Sequence, residues 1–237
     1  MKINIIKSEN RGKSDIGWLK TRYSFSFSNY YNPHRMHFGK LRVLNDDQIA
    51  AGMGFGMHPH DNMEIITIPT KGALKHQDSM GNSATVHSGE VQVMSAGKGI
   101  YHSEINPYNE PVELFQIWIF PNVMNVDPRY DQMSYHKTIE PGQWTLIVGP
   151  KGFSDRALWI YQDAFISIYG ASDTPSEATY YLKNPNNGVY LMVIEGGIQF
   201  NDIHLTRRDS LEVSEVDSLQ IGIEPLTTLL AIEVPMN

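Results

Sequence analysis

Short apolar runs alternate with turn residues along the whole chain, and this pattern narrows the possible folds more than any other feature. The runs are MEIITIP (63–69), EVQVMSA (90–96), VELFQIWIF (112–120), WTLIVG (144–149), FISIYG (165–170), VYLMVIEG (189–196) and TTLLAIEV (227–234). Each has strand length, is rich in β-branched or aromatic residues, and is bounded by Gly, Pro, Asn or Asp. DSMGNS (78–83) has the composition of a hairpin turn. No long stretch carries a 3.6-residue period, so helices should be few and short. Strands at this spacing build a sandwich or a barrel.

At 237 residues the chain fits one large all-β domain or two smaller ones. The segment PNVMNVDPRYDQMSYHKTIEPGQ (121–143) holds three prolines and no strand-length apolar run, so it is read as the connection between two β modules, residues 1–130 and 131–237. The halves also echo each other. KGALKHQDSMGNSATVHSGEVQVMSAG and EGGIQFNDIHLTRRDSLEVSEVD both run Gly, short strand, tight turn, strand, acidic turn, strand. A duplicated fold is the simplest account.

A formal charge of −7 and no Lys/Arg run argue against a nucleic-acid partner. No run approaches the roughly 18 apolar residues needed to span a membrane. The beginning of the chain, MKINIIKSEN, does not read as a signal peptide. The absence of cysteine excludes disulfides, thiolate ligands and cysteine nucleophiles, and fits a reducing compartment. A soluble cytoplasmic monomer is the expectation.

Chemistry is concentrated in two segments. GFGMHPHDNMEI carries His58 and His60, and GKGIYHSEIN carries His102 and Glu104. In a strand, residues two apart share a face, so each pair points one way. Two such pairs on neighbouring strands can converge on one ion. Three imidazoles and a carboxylate suit a divalent first-row metal and leave positions open for substrate or dioxygen. An isolated H-x-H in a chain with nine histidines is more often structural. The context argues otherwise here, because Gly52 precedes His58, Glu64 follows His60, and Gly97 and Gly99 lead into the second pair. His136 and His204 lack such partners, so the metal belongs to the amino-terminal half alone. His34 and His37 read as a solvated loop, and His76 and His87 flank the 78–83 turn with no chemistry assigned. Gln116, a lone amide inside LFQIWIF, is expected either to orient a ligating histidine or to satisfy neighbouring backbone. Phe55, Met57 and Met63 are candidates to line an apolar pocket.

Gly52, His58, His60 and Glu64 resemble the first cupin motif, and Gly89, Gly97, His102 and Asn106 match the second in part. FSFSNYYNP (25–33), GFGMHPHDNMEI (54–65), HQDSMGN (76–82), and MSAGKGIYHSE (94–104) followed by QIWI (116–119) resemble the pirins within that superfamily, and among them the bacterial members with quercetinase activity. The resemblance is densest over about residues 11–130. It implies a bicupin: two facing antiparallel β-barrel (jelly-roll) domains, with metal in the first and a degenerate second. It places the ligands on His58, His60, His102 and Glu104. The general cupin rule would take Glu64 as the carboxylate; the pirin form, H-S-E, takes Glu104 and leaves Glu64 as an outer group or a cavity wall.

The function implied is a metal-dependent dioxygenase that opens flavonols such as quercetin with O2, giving an ester (depside) and carbon monoxide. The substrate supplies the electrons, which fits a chain with no dinucleotide or P-loop signature. Glu104 is the expected general base. Fe(II) is the expected ion, with Mn, Ni, Co or Cu as alternatives. The other reading is an iron-binding regulator whose redox state controls a protein partner, which the acidic chain permits.

Overall fold

In the computed structural model, which describes residues 1–170 and 172–237, the chain is built almost wholly of strands. The helical content among the described residues is one 3-10 turn, Ser8–Asn10. There are two cupin-type units, each a seven-stranded and a four-stranded sheet. The first large sheet runs in the order β12 (Arg129–Ser134), β9 (Glu90–Ser95), β6 (Glu64–Lys71), β11 (Val112–Ile119), β4 (Leu41–Ile49), β3 (Leu19–Tyr23), β2 (Gly12–Asp15). Its small partner runs β5 (Gly54–His60), β10 (Ile100–Ile105), β7 (Ala73–Asp78), β8 (Ser83–His87).

The second unit repeats the plan. Its large sheet is β1 (Lys2–Ile6), β20 (Ser210–Ser214), β17 (Asn187–Glu195), β22 (Thr228–Pro235), β15 (Phe165–Gly170), β13 (Trp144–Pro150), β14 (Leu158–Ile160). Its small sheet is β16 (Ser176–Tyr181), β21 (Ser218–Ile223), β18 (Gly197–Phe200), β19 (Ile203–Thr206). Among the described residues the strand pairings are antiparallel except that of β13 with β14. The echo in the sequence therefore has a structural basis: β7–β8–β9 and β18–β19–β20 hold matching places in the two sheet orders.

Two strands depart from the division expected at residue 130. β12 lies inside the segment read as a plain connection, and it pairs with β9 from Arg129↔Ser95 to Ser134↔Glu90. β1 pairs with β20, some two hundred residues away, from Lys2↔Ser214 to Ile6↔Ser210. Each unit thus takes one edge strand from the segment that leads into the other. Edge strands expose unpaired backbone groups, and this exchange covers one edge in each large sheet.

The two large sheets share one buried core. Ile66, Ile68, Phe115, Ile117 and Leu44 from the first meet Ile166, Ile168, Tyr190, Met192 and Ile232 from the second. The alternation along β6 sets what faces where. Ile66 and Ile68 turn to the shared core, while Ile65 and Thr67 turn toward the small sheet of their own unit.

Candidate metal centre

β10 is central in its small sheet, with β5 on one side and β7 on the other. On the β5 side His102 stands opposite His58, and Ile100 opposite His60. The register then slips, so that Glu104 faces Phe55. Such a bulge changes where side chains aim. Gly54 allows the close approach of β5, because a Cβ there would collide with the Glu104 carbonyl. In the G-K-G turn before β10, Gly97 has φ 49°, and a Cβ would strike the Val126 carbonyl.

The rings of His58 and His102 are 4.4 Å apart, and each lies 4.9 Å from that of His60. One nitrogen from each of the three lies within 4.8 Å of the others. His58 Nδ1 is directed at the Gly56 carbonyl, 2.7 Å away, which leaves Nε2 for the centre. Neither nitrogen of buried His102 has a hydrogen-bond partner among the described residues. Burial pushes the His60 pKa down to about 4, helped by His102 and His58. Burial likewise pushes His102 down to about 3, helped by His58 and His76. Both are neutral at ordinary pH, with lone pairs available. Unpartnered neutral imidazoles converging beside a carboxylate fit a divalent first-row cation well.

Glu104 is buried and firmly held. Gln116 Nε2 donates to one of its oxygens at 2.8 Å, and Thr67 Oγ1 to the other at 3.0 Å. Gln116 therefore orients the carboxylate, where a histidine or backbone partner had been expected. A cavity of about 310 Å3 opens beside the cluster. His58, His60, His102 and Glu104 lie along it, Phe27, Phe55, Ile65 and Trp118 form apolar walls, and Asn45, Asp47 and Gln116 add polar groups. Trp118 meets the His60 ring edge-on at 4.8 Å. Trp118 Nε1, Asn45 Oδ1 and Asp47 Oδ1 are buried with no hydrogen-bond partner among the described residues. Burial raises the Asp47 carboxyl to about 7; Thr21 opposes this, while Asp46 and Glu104 add to it.

Several expectations need correction. Met57 is 59% exposed on the outer face of β5 and does not line the cavity. Met63 packs on Ile65, Met94, Ala96 and Ile100, outside the cavity lining. His76 and His87, to which the sequence assigns no chemistry, differ: His87 pairs with Ala73 at the far end of the hairpin, and His76 pairs with Ala84. His76 is instead buried beside His102 and Glu104. It escaped notice because its partner two residues on is Asp78 and not a second histidine. Asp47 and Trp118 were also missed, since they lie on other strands with no local motif.

Glu64 is neither wall nor outer support. It starts β6 on the side facing the second unit, where Ser95 Oγ donates to it at 2.7 Å. Burial raises its pKa to about 7, partly offset by Ser95, the Tyr161 N–H and Arg129. The folded chain therefore holds this proton over a range where the unfolded chain, with its value near 4.5, has lost it. Stability should fall as pH rises through that window. Glu64→Gln removes the titration. Its melting temperature should decline less than wild type between about pH 5 and about pH 8. Thermal unfolding across a pH series checks this, and an unchanged slope contradicts it.

In the second unit, β16 and β21 stand where β5 and β10 stand in the first. Their buried positions are Ala178, Tyr180, Leu219, Ile221 and Ile223, part of an apolar cluster. His204 is exposed and bonds Glu224 at 2.8 Å. His136 is exposed beside Gly89. His34 and His37 lie on the surface.

Residues 5–119 match the Pirin family model, and residues 146–234 match the model of a quercetinase C-terminal cupin domain. The chain is 37% identical to the quercetin 2,3-dioxygenase of Escherichia coli K12, over 98% of this chain and 99% of that protein. It is 39% identical to a pirin-like protein of Caulobacter vibrioides, over 94% and 91%. The crystal structure of the bacterial pirin YhhW from Escherichia coli in complex with nickel(II) superposes with a TM-score of 0.92 and 35% identity, covering both chains fully. With the two-unit fold and the histidine cluster, these matches place the chain in the pirin family of bicupin proteins.

Proposed function

We propose that this protein is a metal-dependent dioxygenase that cleaves flavonols of the quercetin type with O2 to an ester and carbon monoxide, with Fe(II) as its ion. The observation that carries the reading is the convergence of His58, His60 and His102, with Glu104 beside His102, on one apolar-walled cavity. The name of the Escherichia coli relative supports it. His58, His60 and His102 would hold the ion, with the Glu104 carboxylate next to them. When bound, it supplies Lewis acidity toward the flavonol hydroxyl and a meeting place for both reactants.

The chain's own groups do the rest. Phe27, Phe55, Ile65 and Trp118 flank a flat aromatic ring and keep water from it. Trp118, Asn45 and Asp47 add polar groups to the walls around the substrate's phenolic groups. Glu104 takes the proton of the flavonol hydroxyl on a carboxylate oxygen that Gln116 and Thr67 hold in place. The protein acts as a cytoplasmic monomer on this reading.

Carbon monoxide is the product that singles out this reaction. Protein loaded anaerobically with Fe(II) and then given quercetin and air should release it in step with flavonol loss. If no flavonol yields carbon monoxide from fully loaded protein, the enzyme reading falls, and the metal serves binding to a protein partner instead.

A further inference from the structure

The ligand atom of Glu104 does not cluster with those of His58 and His60. It clusters with His102 and His76, all three buried, and these ligand atoms lie within 4.8 Å of one another. β7 makes this second group. Along β10, Glu104 stands opposite His76 and His102 opposite Asp78. The strand β10 is thus flanked by His58-x-His60 on one side and His76-x-Asp78 on the other.

Asp78 settles what His76 can do. Its Oδ1 accepts from the backbone N–H of Met80 at 2.9 Å and of Asn82 at 3.0 Å. Its Oδ2 accepts from Asn82 Nδ2 at 2.8 Å and lies 3.1 Å from His76 Nε2. A carboxylate held by that many donors is an acceptor, so the His76 proton sits on Nε2. In the neutral ring Nδ1 then carries the lone pair, and it has no hydrogen-bond partner among the described residues. Metal-binding histidines typically have one nitrogen fixed by a carboxylate and the other free. Tyr130, on β12, stacks on the ring at 4.5 Å and 23° and fixes its plane.

We propose that His76 Nδ1, His102 and Glu104 form a second, inner position for a divalent first-row cation, an alternative to the one made by His58, His60 and His102. The two share His102, so one ion occupies one or the other. The outer set borders the substrate cavity. His76 is buried and lies outside the cavity lining, so an ion drawn to it sits deeper than at the outer set, although His102 and Glu104 themselves border the cavity. The inference rests on reading this cluster as a metal centre.

The test is Co(II) binding, read by metal quantification and by the visible spectrum of the bound ion. The H58A/H60A protein lacks the outer position, yet it should retain about one cobalt per chain, since a nearly complete buried donor set remains. Adding H76A should remove that cobalt and its bands. His76→Gln alone is a milder second arm. It leaves the outer position whole, and it should abolish a slow phase in the release of cobalt to a chelator. If wild type binds cobalt but H58A/H60A does not, the inner position is overturned while the metal centre stands. An unchanged release profile in His76→Gln overturns it as well. If wild type binds no cobalt, the metal-centre reading itself fails.

Discussion

Replacing His102 with alanine should abolish stoichiometric metal binding and, with it, flavonol turnover. His102 lies on the central strand of the small sheet, and both groups of candidate ligands include it. Without it, His58 and His60 remain on one side and His76 and Glu104 on the other, and neither pair closes around an ion. The loss should exceed the roughly 10- to 100-fold that removal of an outer hydrogen-bonding partner costs. The fold should survive, because neither ring nitrogen of His102 makes a hydrogen bond among the described residues. Metal content after anaerobic loading and dialysis, with circular dichroism as the fold control, gives the result. The His136→Ala/His204→Ala double variant is the counterpart and should keep its metal, as both side chains are exposed and remote from the cluster. Normal metal content in His102→Ala, or loss of metal in the double variant, contradicts the assignment.

The sequence makes the strands legible because each is a local run with local punctuation. It also makes His58, His60, His102 and Glu104 legible, since the two-residue strand period alone decides that each pair shares a face. What it conceals depends on pairing at a distance. Lys2–Ile6 has strand composition, but nothing in it tells of Ser210–Ser214 as its neighbour. Glu64 shows how a period misleads. It lies an even number of residues after His60, which on one unbroken strand would put both on the same face. Asn62, with φ 43°, turns the chain between them, and β5 and β6 then enter different sheets. The count starts afresh at Glu64, which faces the second unit. His76 and Asp78 escape for a related reason. They form a metal-site pattern only when β7 is laid against β10, and that register is set by the whole sheet.

Glu104→Gln is expected to lower flavonol turnover by ~10²–10⁴-fold, the usual contribution of a positioned general base. The surroundings can absorb the amide without loss of fold. Its oxygen can accept from Gln116 Nε2, which now donates to Glu104 at 2.8 Å. Its NH2 can then donate to Thr67 Oγ1, which turns its own proton toward the Gln116 oxygen, 3.4 Å away. Shape and the bonds to Gln116 and Thr67 are kept, while the long bond from Gln92 Nε2 at 3.5 Å, the charge and the basicity are lost. Metal should bind more weakly but load at high concentration, so turnover is compared per bound ion. Glu64→Gln serves as the paired control. Its side chain bonds Ser95 on the face toward the second unit, so its metal content and turnover should stay close to wild type. The assay is Fe(II) loading, metal quantification, then flavonol loss and carbon monoxide in air. If Glu64→Gln loses its metal while Glu104→Gln turns over normally, the carboxylate that serves the ion is Glu64, and the role given to Glu104 is wrong.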